Sequence, residues 1–252
     1  MSALLELGSS LLSSSLRGWR GTMITRPVQR QPALPLALYE FEADAQCRLL
    51  REALTELDLD ALIYPYPEGG ARFGGGLKTS GHAALPTLVD ANSGAAWCGS
   101  VDIIEQLASR YGAALSPAHG LQRKAGMLSG RLASSVRGGR GRQARPSRAP
   151  ALPLELFSFE ASPYSRRVRE VLCELQLPYL LRNTGKARWS DLGPPVVRDR
   201  LLKAAQATGR NRKRLLELTG RVQVPYLIDA NTGAALFESA AIVDYLERQY
   251  AN

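Results

Sequence analysis

The sequence predicts an α/β protein built from two tandem copies of one unit, each running β-α-β-(α)-β-β-α. Three observations carry this. Residues 33–59 and 151–177 agree at 15 of 27 positions at an offset of 118. Residues 86–100 and 225–239 agree at 9 of 15 positions at an offset of 139. In each copy, short alternating apolar runs flank segments with helical apolar spacing. The larger second offset puts a longer middle segment in copy two. The expected boundaries are an N-terminal extension at 1–32, domain one at 33–115, a basic linker at 116–149 and domain two at 150–252.

Copy two shows each element in turn. Leu154 to Phe159 alternates as a strand. Ser162-Pro163 starts a helix, because serine caps well and proline suits the first turn, where its missing N–H has no partner anyway. Val168, Val171, Leu172 and Leu175 line one helical face. Pro178 ends the helix, and Tyr179-Leu180-Leu181 predicts a second, parallel strand through a right-handed crossover. Val196 to Leu218 reads as an amphipathic helical insertion split near Thr208-Gly209. Val224 to Ile228 is the third strand, and Asp229-Ala230-Asn231-Thr232-Gly233 is a turn with glycine at a left-handed position. Ala234 to Phe237 returns, and Ser239 caps a last helix, Ala240 to Tyr250. Copy one repeats the plan, with Asp44 as helix cap and Ser100 opening its final helix.

Charge and composition narrow the function. The net charge is +9. Nine basic residues and no acidic one lie between Glu105 and Glu155, so the excess belongs to one segment. Arginine-glycine segments bind RNA phosphates through charge, but no aromatic follows Tyr111 in this stretch to stack on bases, which argues against nucleic acid. No run nears the ~18 apolar residues that span a bilayer. Two histidines and three cysteines leave little for a zinc site or a disulfide scaffold, so no metal is expected. The cysteine usage points to a reducing, cytoplasmic setting. The Ser-, Leu- and Arg-rich residues 1–32, with Glu6 their one acid, also fit a chloroplast or mitochondrial transit peptide. Against that, Trp19 and Ile24 are expected to pack on domain one.

The element order, with proline opening the third strand, resembles the thioredoxin fold, and more closely the glutaredoxin-like N-terminal domain of glutathione S-transferases. Ser162-Pro163-Tyr164-Ser165, Val224-Pro225 and Glu238-Ser239 carry the likeness. The tandem arrangement is similar to a plant and bacterial family that reads YEFE-x-CPFCR-x-VRE after the first strand and YPCPKGG after the second. The matching stretches here are Tyr39-Glu40-Phe41-Glu42, Asp44-Ala45-Gln46-Cys47-Arg48 and Tyr64-Pro65-Tyr66-Pro67-Glu68-Gly69-Gly70. A second thioredoxin-like copy stands where a complete transferase has its all-helical C-terminal domain.

The resemblance implies glutathione as ligand. It implies a cis bond at Val224-Pro225, and at Leu85-Pro86 in copy one, leaving the preceding backbone free to pair with the cysteinyl part. It implies that Ser239 and its helix N-terminus take the γ-glutamyl carboxylate and Glu238 the ammonium. Copy one has Gly99-Ser100 instead, so the implied site is in copy two. Ser162 stands where serine-type transferases stabilise the thiolate by a hydrogen bond. A dithiol enzyme needs Cys-x-x-Cys at a helix N-terminus. Copy one has Asp44 and Cys47 there, and copy two has Ser162 and Ser165. Ser162, Ser239 and Cys47 each also have a plain structural reading, as helix caps and a packing residue. Three functions stay open: glutathione binding with or without transfer, a scaffold offering its clefts to a protein partner, and thiol redox through Cys47.

Overall fold

The computed structural model describes residues 3–82, 84–114, 130, 132–133, 135–188, 191 and 208–252. Helix α1 is Ala3–Leu16. Copy one then runs β1 (Leu36–Glu40), α2 (Ala45–Glu56), β2 (Ala61–Pro65), α3 (Gly74–Thr79), β3 (Thr87–Asp90), β4 (Ala95–Cys98) and α4 (Ser100–Tyr111). Copy two runs β5 (Leu154–Ser158), α5 (Pro163–Glu174), β6 (Tyr179–Asn183), α6 (Arg210–Thr219), β7 (Tyr226–Asp229), β8 (Ala234–Phe237) and α7 (Ser239–Tyr250). Both copies therefore have the predicted order. Of the insertion read at Val196 to Leu218, residues 196–207 lie outside the described residues. The rest is α6, preceded by Gly209 at φ 89°.

The two copies share one eight-stranded sheet, ordered β4-β3-β1-β2-β6-β5-β7-β8. Within a copy, β1–β2 and β5–β6 are parallel, as predicted, and the outer pairs are antiparallel. The copies meet at β2 and β6, which pair antiparallel with Ala61 opposite Leu181 and Ile63 opposite Tyr179. Each copy thereby removes an open sheet edge from the other. One apolar core runs through both, with Leu50 and Leu54 of α2, Leu107 of α4, Leu172 of α5 and Leu246 of α7. A smaller cluster of Phe157, Leu215 and Tyr226 lies between α6 and the copy-two strands.

The repeated turn Asp-Ala-Asn-x-Gly is a structural lock. In copy two, Asp229 Oδ1 accepts from the backbone and side-chain amides of Asn231 at 2.8 and 2.7 Å, and its Oδ2 accepts from Tyr250 at 2.6 Å. Asn231 in turn clasps the backbone of Leu152. Asp90, Asn92, Tyr111 and Leu34 repeat this in copy one. Hydrogen bonding ties turn, final helix and first strand together, and holds both aspartates below the ordinary carboxylate range despite burial.

Charge is buried where the copies meet. Arg51 of α2 donates to Glu160 at 3.0 Å and to Glu40, and Arg169 of α5 donates to both oxygens of Glu42 at 3.0 Å. Both guanidinium groups are 1% exposed. Arg51 and Arg169 are equivalents at the offset of 118, as are Glu42 and Glu160, so each arginine reaches into the other copy. Burying a charge costs several kcal/mol unless it is paired and hydrogen-bonded, and here each arginine is paired both within its own copy, Arg51 with Glu40 and Arg169 with Glu160, and across to the other. Burial raises the pKa of Glu160, but Arg169, Arg51 and Arg48 outweigh it and hold the group at about 2. For Glu40 burial wins over Arg51, with Glu42 adding repulsion, and the group is pushed up to about 7.

The described parts of the segments expected as extension and linker are packed. α1 lies on α5, and buries serines while exposing leucines: Ser10, Ser13 and Ser14 face inward, and Leu5, Leu11, Leu12 and Leu16 are exposed. The reversal has a polar cause. Ser13 Oγ accepts from Arg48 at 3.0 Å, the Ser10 carbonyl accepts from Arg166 at 2.7 Å, and Ser14 Oγ donates to the Ala161 carbonyl at 2.8 Å. Trp19 stays 43% exposed. Ile24 lies beside Gly185 and Gly209 of copy two, where the Thr55 side chain of copy one also approaches Gly185. In the basic segment, residues 130, 132–133 and 135 are helical, and Arg137, Arg140, Arg142 and Arg145 are paired with glutamates. Arg137 bonds Glu170 at 2.6 and 2.7 Å, Arg140 bonds Glu6 at 2.6 Å, and Arg145 bonds Glu247 at 2.6 Å.

Candidate functional site

The site implied in copy two is assembled from three places in its fold: the start of α5, the turn before β7 and the start of α7. Ser162 caps α5 with extended backbone, its hydroxyl accepting from Ser165 N–H at 3.2 Å, and Pro163 occupies the first helical turn. Ser162 is only 2% exposed. The cover is α1 and the chain after it. Ser10 Oγ donates to the Pro163 carbonyl at 2.8 Å, and Ala161 N–H donates to the Gly21 carbonyl at 3.2 Å. Tyr164, facing away, remains exposed.

The other two places lie nearer solvent. Val224-Pro225 is cis, as is Leu85-Pro86. Val224 is half-buried. Among the described residues, its backbone N–H and C=O take no hydrogen-bond partner, because the ladder to β5 begins only at Tyr226. Glu238 precedes α7 with φ 68°, is exposed, and accepts a hydrogen bond from Gln223. Ser239 is buried as the first residue of α7, and the capping position belongs to Glu238. The expectation that Ser239 is the helix cap is therefore corrected by one residue, with the positive φ at Glu238 setting the helix start. Beside them the Phe237 ring packs on Tyr226 at 4.3 Å, and the Arg221 guanidinium sits 3.8 Å over Phe237.

Copy one has the same backbone with different chemistry. Asp44 caps α2, accepting from Gln46 and Cys47 N–H at 2.9 and 2.8 Å. Cys47 is fully buried. Burial pushes its thiol pKa well up, and Glu40 and Asp44 add to the rise. It is a thiol at neutral pH, and thiolate is the nucleophilic form. Cys173 is buried and raised in the same way, with its Sγ 3.3 Å from the Gly141 carbonyl. Cys98 is half-buried on β4. Gly99 stands in the place of Glu238, and the Ser100 hydroxyl is buried with no hydrogen-bond partner among the described residues.

Sequence reasoning missed the buried arginines and glutamates. Their signal was present, since the pattern Arg-x-x-Arg-Glu recurs at 48–52 and 166–170 on helices whose other faces are apolar. It reads as solvated surface until the two helices are placed side by side. Among the described residues no group of His, Cys, Asp and Glu could hold a metal ion. Among the same residues no helix is long and apolar enough to cross a membrane. His119 and Trp189 lie outside the described residues.

Residues 38–116 and 156–252 each match the family model described as glutathione S-transferase, N-terminal domain. Neither the curated proteins nor the solved structures include a match to the chain.

Proposed function

The chain belongs to the glutathione S-transferase N-terminal domain family, and from that premise we propose that copy two binds glutathione through Val224, Pro225, Glu238 and Ser239. One observation carries the reading: the Val224 backbone, half-buried beside cis Pro225, has a donor and an acceptor unused among the described residues. An extended peptide pairs with such a backbone as an added strand does. Glutathione is a short peptide with a carboxylate and an ammonium at its γ-glutamyl end. The carboxylate fits the N–H groups opening the 12-residue α7 at Ser239. The ammonium fits the exposed Glu238 carboxylate in place of Gln223.

The role is recognition of the peptide. Ser162, the candidate for activating the sulfur, is covered by α1 and its hydroxyl is engaged in capping. Cys47, the candidate for redox, is covered in copy one. The same burial favours a second reading, a thioredoxin-fold scaffold for a protein partner. Thermal unfolding with millimolar glutathione separates the two. A ligand at 100 times its Kd that binds only the folded state adds about 2.7 kcal/mol. The expected result is a raised melting temperature in the wild type that is lost in Ser239→Ala and Glu238→Gln. No rise in the wild type would refute glutathione binding and leave the scaffold reading.

A further inference from the structure

We infer that the unit of assembly in this chain is a strap together with its domain, and that each half is a self-sufficient partner for the other without a covalent link. Strap one is residues 3–31 and strap two begins at residue 130. The partner each half fits is a second strap–domain unit of the same kind.

The straps are repeats of one another. Arg17-Gly18-Trp19-Arg20-Gly21 and Arg137-Gly138-Gly139-Arg140-Gly141 stand at an offset of 120. Their backbones agree: φ is 58° and 62° at Gly18 and Gly138, 58° and 79° at Trp19 and Gly139, and 73° and 72° at Gly21 and Gly141. Their contacts agree too. A Cβ on Gly21 would meet Glu160 Cβ at 2.8 Å, and one on Gly141 would meet Glu42 Cβ at 2.9 Å. Met23 bridges to Lys186 and Gln143 bridges to Glu68, both in parallel sense. Arg17 pairs with Glu52, and Arg137 with Glu170.

Each strap crosses to the other copy and then returns. Strap one starts on α5 and meets Lys186 of copy two, and ends with Val28 N–H on the Leu57 carbonyl and Gln29 N–H on the Tyr111 carbonyl of copy one. In strap two Gly130 sits by Ala45 of copy one. Its Ala144 N–H then donates to the Glu68 carbonyl, and Arg145 and Arg148 N–H donate to the Glu174 and Tyr250 carbonyls of copy two. The straps also meet each other, with Ser13 Oγ donating to the Ala133 carbonyl at 2.8 Å. A contact that recurs with its partners exchanged is the mark of an isologous, two-fold interface. A half alone would leave the β2 or β6 edge open; Arg51 would keep Glu40 and Arg169 would keep Glu160, but each would lose its partner in the other copy, Glu160 for Arg51 and Glu42 for Arg169.

The test keeps the full chain. A specific protease site is inserted within 115–129 and cut after folding. The expected result is that both fragments co-elute as one particle near the intact 27.4 kDa. The melting temperature of the cut protein should fall on dilution while that of the uncut protein does not. Fragments parted in denaturant and mixed again should restore the same particle. In the cut protein, Arg169→Met should weaken association at least tenfold, and Arg142→Met, on the exposed pair with Glu68, should leave it unchanged. Fragments that separate at micromolar concentration, whether folded or aggregated, would overturn the inference.

Discussion

Replacing Arg51 by methionine tests the central packing claim, because it removes a charge and keeps most of the stem. Arg51 Nε lies 3.0 Å from Glu160 Oε2, one terminal nitrogen bonds Glu40, and the other donates to the Glu42 carbonyl at 3.0 Å. All four residues are buried. Removing one partner from a buried ion pair costs about 3–5 kcal/mol, because the charge left behind is unsolvated. At about 2–4 °C per kcal/mol for a chain of this size, the melting temperature should fall by roughly 6–20 °C. Calorimetry at pH 7.5 and pH 5 reads both the size and the cause. At pH 5, below the raised pKa of Glu40 at about 7, that carboxyl is protonated and no longer needs the arginine, so the loss should shrink. Arg142→Met serves as the exposed control and should change nothing measurable. A loss under about 1 kcal/mol at pH 7.5, within the range of a surface pair, would refute the reasoning that these charges lock the copies.

Further outcomes follow from single sites. Burial raises Asp58 to about 6, with Asp60 opposing and Arg210 assisting ionisation. A carboxyl with a raised folded pKa favours the folded state at low pH, and that advantage is lost as pH rises from about 4 through 6. Asp58→Asn should therefore stabilise by about 1–3 kcal/mol at pH 7.5 and by little at pH 4; asparagine also suits the φ of 56° there. Equal stability gains at both pH values in urea titrations would contradict the assignment. Gly21→Ala and Gly141→Ala should each destabilise by about 1–3 kcal/mol, from positive φ and from the close glutamate. A large loss at one and none at the other would argue against equivalent straps. Ellman's reagent should find Cys98 accessible in the folded protein and Cys47 and Cys173 only on unfolding. Prompt reaction of Cys47 would revive thiol redox.

The candidate residues for a glutathione-type ligand fall into two groups that differ in exposure. The residues we propose for peptide pairing, around Val224 and the start of α7, keep backbone groups unpaired among the described residues and an exposed Glu238 carboxylate. Ser162, proposed to act on the sulfur at the start of α5, and Cys47 near the start of α2 in copy one are buried beneath the straps. Ser10, Ser13 and Ser14 make that cover by bonding to backbone carbonyls and guanidinium groups, so the face of α1 that hydropathy would send inward is the one left outside.

Much of this was legible in the sequence for local reasons. Apolar periodicity announced the strands and helices, Ser162-Pro163 and Asp44 announced the helix starts, and the repeated Asp-Ala-Asn-x-Gly announced the turns. Each signal acts over about ten residues or fewer, through backbone sterics and nearby hydrogen bonds. The resemblance placed the cis prolines. Tertiary structure alone decided the β2–β6 junction, the crossing of the straps and the burial of Ser162 and Cys47. It also decided that Arg51 and Glu160, 109 residues apart, and Arg169 and Glu42, 127 apart, share one interior. A charged residue reads as solvent-facing in any local window, and the second copy in place completes the pairing that lets it be buried, with Glu160 on Arg51 and Glu42 on Arg169.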